Sequence, residues 1–289
     1  MNAQLWTPPR AASRLFKLAE LAANAHKTPL FPIDVEQLAL EAANIFQWQD
    51  PISQVVAADI KSFEGGLFAS EGRKNWMLVY NETLPSEGRI RFTQAHELGH
   101  YILHRLTRDA FQCTEEDMRD WSPDEQNIEA QADMFASYLL MPLDDFRNQV
   151  PDKVDLNILS ACAKRYGVSL TAATLKWLSY TTQKAVLVVS RDGYINWAWA
   201  SDPAFKAGAF IRSKGSPVEI PVGSLADDSS VEINREGVSI SASLWFKHAD
   251  KSLMLREMKV SSQNYDQTFT LLCLPGLDDV WKPREWQRD

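Results

Sequence analysis

The spacing of apolar residues predicts two helices at the start of the chain. Leucine and alanine recur every three or four positions over residues 11–26, which is the period of a helix that buries one face. Asp34 and Gln37 have the spacing of an N-cap and its capping-box partner. We therefore expect a second helix through residues 35–46.

After these two helices the pattern predicts three strands and then a long helix. Runs of β-branched and aromatic residues predict three strands, at 54–60, 65–70 and 75–81. The pair Gly65-Gly66 indicates a turn or a close approach of two backbones. Pro85 and Gly88 interrupt the chain before an apolar-periodic helix at about 89–105.

Residues 107–126 are polar and acidic, and a segment of this length predicts a long surface loop. Its acidic run Glu115-Glu116-Asp117 is interpreted as a solvated face. A further helix is predicted over residues 125–141, where Pro142 ends it.

The second half of the chain divides into a helical segment and a β-rich region. Short helices are predicted near 155–166 and 170–180. Beyond residue 184 the segments alternate or are rich in β-branched residues, with turn residues between them. We therefore predict three parts, at residues 1–150, 151–183 and 184–289.

The composition is that of an ordinary globular protein. Of the 289 residues, 45% are hydrophobic and 24% are charged, so the chain can bury a sizeable core without covalent staples. The net charge of −8 and the pI near 5.2 argue against broad, charge-driven binding to nucleic acid or anionic membranes.

Cysteine use and the N-terminal sequence predict a cytoplasmic protein. The three cysteines lie far apart and form no CxxC pair, so neither a disulfide framework nor a cysteine metal site is indicated. The N-terminal residues lack the continuous apolar segment of a signal peptide. No stretch approaches the roughly 18 apolar residues that a membrane span requires.

The run HELGH, at residues 96–100, carries the clearest chemistry in the sequence. Positions four apart lie on one face of a helix, so His96 and His100 can direct two imidazoles at one metal ion. Glu97 lies one step around the helix, within reach of a water at the metal, and is the candidate catalytic base. The alternative is an ordinary charged helix face, and we favour a zinc peptidase over it.

A zinc site of this kind needs a third protein ligand and an open fourth position. The next helix offers Glu129 and, one turn later, Asp133. Glu129 can complete the metal site. Asp133 can accept a hydrogen bond from the outer nitrogen of a ligand histidine and fix its tautomer.

The sequence between residues 30 and 142 resembles the ImmA/IrrE-type metallopeptidases. The resemblance lies in five blocks, in the order PIDVEQLA, GGLF, WMLVYN, RIRFTQAHELGHYILHR and IEAQADMFASYLLMP. It implies zinc bound by His96, His100 and Glu129, with Glu97 as the base. Manganese or iron can also occupy such a site.

The resemblance also implies a biological role. The family that this sequence resembles includes regulated cytosolic proteases. They cleave a helix-turn-helix repressor of the XRE type and so relieve repression under stress. The alternative is a regulatory partner that grips a helix-turn-helix protein without cleaving it, as an anti-repressor or as half of a toxin–antitoxin pair.

The family plan also implies a fold. We expect an α+β protein: a minimal zinc-peptidase domain with a small twisted sheet, then a helix-turn-helix-like segment, then a β-rich, GAF-like sensor domain. The last hundred residues carry no motif that supports the sensor part independently.

Several further residues have two interpretations. His104 lies too far along the helix to share the ion with His100, and we favour a structural role such as capping the helix end. Tyr80 and Asn81 end a strand that either binds substrate as an edge strand or packs in the core. The sequence does not decide between these two roles.

The C-terminal half offers two weaker candidates. Lys164, Arg165 and Lys176 in the helical segment could contact DNA, but we favour a packing role in so acidic a chain. Six aromatic residues could line a ligand pocket, although we favour the core for them; they are Trp197, Trp199, Phe205, Phe210, Trp245 and Phe246.

Overall fold

A computed structural model of the chain describes residues 6–113, 123–213, 215–262, 266–276 and 280. The chain divides into two compact units. The first unit comprises Met1–Gln149 and Cys162–Ala172, and the second comprises Val150–Ala161 and Ala173–Asp289. The acidic run at 115–117 lies outside the described residues. The predicted three-part domain division remains a prediction.

The first unit contains a four-stranded mixed sheet. Its strands are β1 (Ile52–Ala58), β2 (Gly65–Ala69), β3 (Trp76–Asn81) and β4 (Ala110–Cys113). The spatial order is β1-β3-β2-β4, with β1 and β3 parallel and the other pairs antiparallel. The three strands predicted from the sequence are therefore confirmed. The surface loop predicted at 107–126 is wrong in part, because it contains β4 and the start of a helix.

Before residue 150 the described part of the first unit contains five helices, of which the first four lie close to their predicted positions and the fifth was not predicted. They are α1 (Pro8–His26), α2 (Val35–Phe46), α3 (Glu87–His104), α4 (Pro123–Leu140) and α5 (Leu143–Gln149). The Asp34 side chain caps α2 by accepting a hydrogen bond from the Gln37 N–H at 3.0 Å, as its spacing predicts. In the same way, the Ser86 side chain caps α3 and so fixes where the HELGH helix begins.

Two glycines allow α3 to pack closely on its neighbours. A Cβ at Gly65 on β2 would lie 3.1 Å from Glu97 Oε1, so the Gly65-Gly66 pair marks the close backbone approach that the sequence indicated. A Cβ at Gly99 would lie 3.2 Å from the Cα of Ala132 on α4. Glycine at these two positions therefore lets the sheet and α4 approach the HELGH residues from two sides.

Around α3, the core of the first unit is apolar and tightly packed. Trp76, Leu98, Tyr101 and Phe135 are all fully buried. The predicted apolar stripe of α1 is only partly buried: Leu21 is 63% exposed. Burial of a large apolar side chain contributes about 1.5–3 kcal/mol, so residues of the α3 and α4 faces contribute most to holding the site together.

Two helices begin or end across the division between the units. They are α6 (Leu156–Tyr166) and α7 (Leu170–Leu178), close to the predicted positions. Gly167 between them has a positive φ of 61°, a conformation that glycine adopts without strain.

The second unit is built on a five-stranded antiparallel sheet. Its strands are β5 (Ala185–Arg191), β6 (Tyr194–Ala200), β7 (Ile233–Ser241), β8 (Met254–Ser262) and β9 (Gln267–Cys273), with the short helix α8 (Asp202–Lys206) after β6. The spatial order is β6-β5-β9-β8-β7. The predicted β-rich region is confirmed, and the identity of a GAF-like sensor domain remains a prediction.

One face of this second sheet is covered by loops and short helical turns. Val186, Val188 and Leu272 pack there with Trp245 and Phe246. Core positions were therefore predicted correctly for Trp245 and Phe246. The core prediction is wrong for Trp199 and Phe205, which are 58% and 59% exposed.

These units confirm the α+β class, with helices and two separate sheets in one chain. Among the helices within the described ranges, none has the length and apolar content needed to cross a bilayer.

Candidate metal centre

The ligand face of α3 meets α4 at three converging atoms. His96 Nε2 lies 2.9 Å from Glu129 Oε2, and His100 Nε2 lies 3.2 Å from the same oxygen. The two histidine Nε2 atoms are 3.0 Å apart. The three residues that the sequence suggested as ligands therefore lie together in one compact cluster.

The donor set fits a zinc-type ion. Ligand atoms about 2.0–2.1 Å from a tetrahedral zinc ion lie about 3.3 Å from one another, which is close to the separations seen here. Two imidazole nitrogens and one carboxylate oxygen are ligands that zinc accepts. No other group of three or more such side chains with this geometry occurs in the described part of the chain. Manganese and iron can use the same donors, so the donor set does not select one metal.

The electrostatics of the cluster keep its ligands in metal-binding form. Burial lowers the pKa of His100 to about 4, so the imidazole is neutral near pH 7. Burial alone would raise the pKa of Glu129, but its contacts with His100 and His96 outweigh that effect and lower the pKa to about 2. A neutral imidazole beside an ionised carboxylate is the protonation state that binds a cation.

Glu97 is the least satisfied polar group beside the cluster. Its side chain is fully buried, and neither carboxylate oxygen has a hydrogen-bond partner among the described residues. Burial raises its pKa to about 8, although His96 acts in the opposite direction. A buried carboxylate without partners is costly for folding, so its retention here indicates that it serves a group that binds at this site.

Asp133 lies where the sequence placed it. Its Oδ1 is 2.9 Å from His96 Nδ1, on the side of the ring away from Glu129. A carboxylate at that position accepts a hydrogen bond from Nδ1–H and leaves Nε2 free to bind a metal. The side chain of Asp133 is 56% exposed, so this partner lies at the rim of the site.

His104 is close to the site but is not part of the three-atom cluster. Its side chain is buried, and its Nδ1 lies 3.2 Å from His100 Nδ1. The predicted exclusion of His104 from the ligands agrees with this arrangement. The proposed helix-capping role is corrected, because the ring points into the interior toward His100 and Gln131 instead.

The premise that Tyr80 and Asn81 lie on an edge strand is wrong. β3 pairs with β1 on one side and β2 on the other, so its backbone is not free for strand addition. The Tyr80 hydroxyl donates to Glu36 Oε1 at 2.9 Å, and the Asn81 amide donates to the Ile60 carbonyl. A substrate-binding role for these two side chains remains a prediction.

The cations of the helical segment differ in their surroundings. Arg165 donates two hydrogen bonds to the Asp145 carboxylate, and Lys176 is only 3% exposed. These contacts agree with the packing role favoured for them. The absence of direct DNA binding remains a prediction.

Three residues around the cluster were not identified as functional from the sequence. Phe111 on β4 stacks on the His100 ring, with centroids 4.6 Å apart and an angle of 15° between planes. Gln131 on α4 lies beside His104, and Gly99 lets α4 approach α3. Only Gly99 carried a local signal, as a glycine inside a helix, which usually has a packing or functional reason.

Comparisons with known proteins identify a family for the part of the chain that contains the site. Residues 51–178 match the family model described as the IrrE N-terminal-like domain, of the M78 peptidases. No curated protein matches the chain significantly. The chain is similar in structure to a Mycobacterium tuberculosis transcriptional regulator, at 14% identity and a TM-score of 0.49, over 90% of this chain and 75% of that one. The resemblance to the ImmA/IrrE-type metallopeptidases is thus confirmed over residues 51–178, which match the IrrE N-terminal-like domain.

Proposed function

We propose that the first unit is a zinc-dependent endopeptidase of narrow specificity. The observation that carries the proposal is the meeting of His96, His100 and Glu129 beside the buried, unpartnered carboxylate of Glu97. An ordinary structural cluster has no need for a fully buried carboxylate without a donor. A hydrolytic site does need one, because it must accept a proton from the attacking water.

The chemistry assigned to the site is hydrolysis of a peptide bond. Zinc, when bound by these three side chains, supplies Lewis acidity that polarises a carbonyl oxygen and makes water nucleophilic near neutral pH. Glu97 accepts one proton from the water that attacks the scissile carbon. It then delivers that proton to the amide nitrogen as the C–N bond breaks, so one water is consumed for each bond cut. Its burial makes the ionised carboxylate a strong base.

The substrate proposal comes from the family resemblance and not from the geometry. We propose that the substrate is an XRE-type helix-turn-helix repressor in the cytoplasm, whose cleavage relieves repression under stress. The M78 match supports a metallopeptidase, and the second unit offers a separate part of the chain through which a signal could act.

Glu97→Gln tests the mechanism. The amide cannot accept a proton as a carboxylate does, so cleavage should fall by about 100-fold or more while the zinc content stays at one ion per chain. The assay is electrophoresis and mass spectrometry of a purified XRE-type helix-turn-helix repressor that has been incubated with zinc-loaded protein. Zinc content is measured by atomic absorption.

Glu87→Gln is a matched control, because it changes an exposed glutamate on the same helix. It should cleave as well as the wild type. Full cleavage by Glu97→Gln would overturn the mechanism. If the wild type binds the repressor stably but leaves it intact with zinc present, the non-proteolytic regulatory role becomes the better explanation.

A further inference from the structure

We propose that His104 is a positioning residue for the metal ligand His100, and that it acts through a neutral hydrogen-bond relay that ends at Gln131. This inference rests on the metal centre of the proposed function but not on proteolysis or on the identity of the substrate. It gives each ligand histidine its own partner: Asp133 for His96 and His104 for His100.

The relay follows from three side chains on two helices. His100 Nε2 faces His96 and Glu129, so its other ring nitrogen, Nδ1, points away from the cluster. That Nδ1 lies 3.2 Å from His104 Nδ1. On the far side of the second ring, His104 Nε2 lies 3.4 Å from Gln131 Oε1.

Donor and acceptor roles then follow from the chemistry of the ligand. A histidine that binds a metal through Nε2 is neutral and carries its proton on Nδ1. His100 therefore donates from Nδ1, and His104 must accept at its own Nδ1. A neutral His104 that accepts at Nδ1 carries its proton on Nε2, which can donate to Gln131 Oε1. Every ring nitrogen in the chain of contacts then has a complementary partner.

The spacing along α3 explains why His104 serves as a partner and not as a ligand. His96, His100 and His104 recur every four residues and so share one face of the helix. Four residues of helix rise about 6 Å, which carries His104 beyond the ion that His96 and His100 can share. The same rise brings it within hydrogen-bond distance of the outer nitrogen of His100.

Burial explains why this partner is an imidazole and not a carboxylate. His100 is 1% exposed and His104 is 5% exposed, whereas the Asp133 side chain is 56% exposed. A carboxylate on the buried side would pay a large desolvation cost without a compensating cation. A neutral histidine satisfies the His100 N–H at lower cost, and Phe111, stacked on the His100 ring, helps to exclude water from the contact.

Two substitutions at residue 104 separate positioning from packing. His104→Phe keeps a planar ring beside Phe111 but has no nitrogen. His104→Asn is smaller, but its side-chain oxygen can lie near the position of Nδ1 and accept from His100. Asp133→Asn changes the partner of the other ligand histidine and serves as a comparison.

Three measurements on the full chain are needed. The first is zinc affinity, by competition with a chelator of known affinity. The second is the visible absorption spectrum of the Co²⁺ form, which reports ligand geometry. The third is thermal unfolding of the metal-free variants, which reports packing alone.

We expect His104→Phe to bind zinc about 10- to 100-fold more weakly and to alter the Co²⁺ spectrum, as substitutions of such outer partners do. His104→Asn should recover most of the affinity and spectrum, although it fills less of the core. Wild-type affinity and spectrum in His104→Phe would overturn the inference. The inference would also be wrong if both variants lost zinc affinity equally and in parallel with their loss of metal-free stability. In that case the role of His104 would be packing. Failure of the wild type to bind zinc would instead refute the proposed metal centre.

Discussion

At the scale of single residues, two buried glutamates illustrate how surroundings decide a role. Glu97 and Glu257 are both fully buried. Glu97 has no hydrogen-bond partner among the described residues, whereas Glu257 accepts from Leu225 N, Ala226 N and Trp245 Nε1. The first is available for chemistry, while the second holds a loop and a tryptophan of the second unit in place. The HELGH motif already singles out Glu97, whereas no local signal in the sequence predicts the role of Glu257.

Glu257 gives a prediction about pH. Burial raises the pKa of Glu257 despite the three hydrogen-bond donors. At a pH between the unfolded and folded pKa values, the folded protein therefore binds more protons than the unfolded chain. Its contribution to stability is therefore greatest at low pH and falls as the pH rises through that window. In Glu257→Gln this contribution should be absent, so the difference in unfolding free energy between wild type and variant should shrink from pH 4.5 upward. Urea unfolding at several pH values measures it.

The exposed Glu236 supplies the control for this measurement. Glu236→Gln should follow the wild type at each pH. A wild-type advantage that grows with pH would mean that the hydrogen bonds from the loop and Trp245 outweigh the cost of burying the charge.

At the scale of elements, the metal centre depends on how closely two helices approach. α3 carries the HELGH residues and α4 carries Glu129 and Asp133. A Cβ at Gly99 would lie 3.0 Å from the Phe135 ring and 3.2 Å from the Ala132 backbone. The glycine of the motif therefore sets the helix separation that lets Glu129 reach both histidines.

Gly99→Val tests this contact. Valine is a better helix former than glycine, so helix propensity alone would stabilise the variant slightly. Overpacking against α4 should instead cost about 1–3 kcal/mol of unfolding free energy and weaken zinc binding. Thermal unfolding and a zinc competition assay measure the two effects.

Ala130→Val is the matched control, since it adds the same branched side chain at an exposed position of α4. It should cost only a few tenths of a kcal/mol. If Gly99→Val keeps wild-type stability and zinc affinity, the helix separation does not depend on this glycine.

At the scale of the whole molecule, the metal should stabilise the fold. His96, His100 and Glu129 are far apart in an unfolded chain, so zinc binds the folded state much more tightly. Zinc at 100 times its dissociation constant should add about 2.7 kcal/mol to the unfolding free energy. Calorimetry of the full chain should therefore show a transition that rises with zinc and returns to its metal-free temperature after EDTA.

Magnesium provides the comparison, because it prefers oxygen ligands in octahedral geometry and should leave that transition unchanged. Two units suggest two transitions, in which case zinc should move only one of them. Zinc that is bound but shifts neither transition would mean that the three ligands are not held together by the fold.

Much of the fold and of the site was predictable from local patterns. The periodicity of apolar residues located the helices, and the capping residue Asp34 marks the start of α2. The ligands His96 and His100 follow from a spacing of four on one helix, which fixes their common face whatever the rest of the chain does. The family motif added Glu129, although no local rule places α4 beside α3.

Strand order, partner choice and burial were decided only by the tertiary structure. β3 is an interior strand because β1 and β2 both pair with it, and β4 joins the sheet from a four-residue segment that is too short to be recognised. His104 meets Gln131, and Phe111 covers His100, through contacts between elements far apart in sequence. Sequence spacing constrains neighbours along one helix or strand. Contacts between elements depend instead on the packing of the whole unit, so the outer partner of His100 could be identified only after folding.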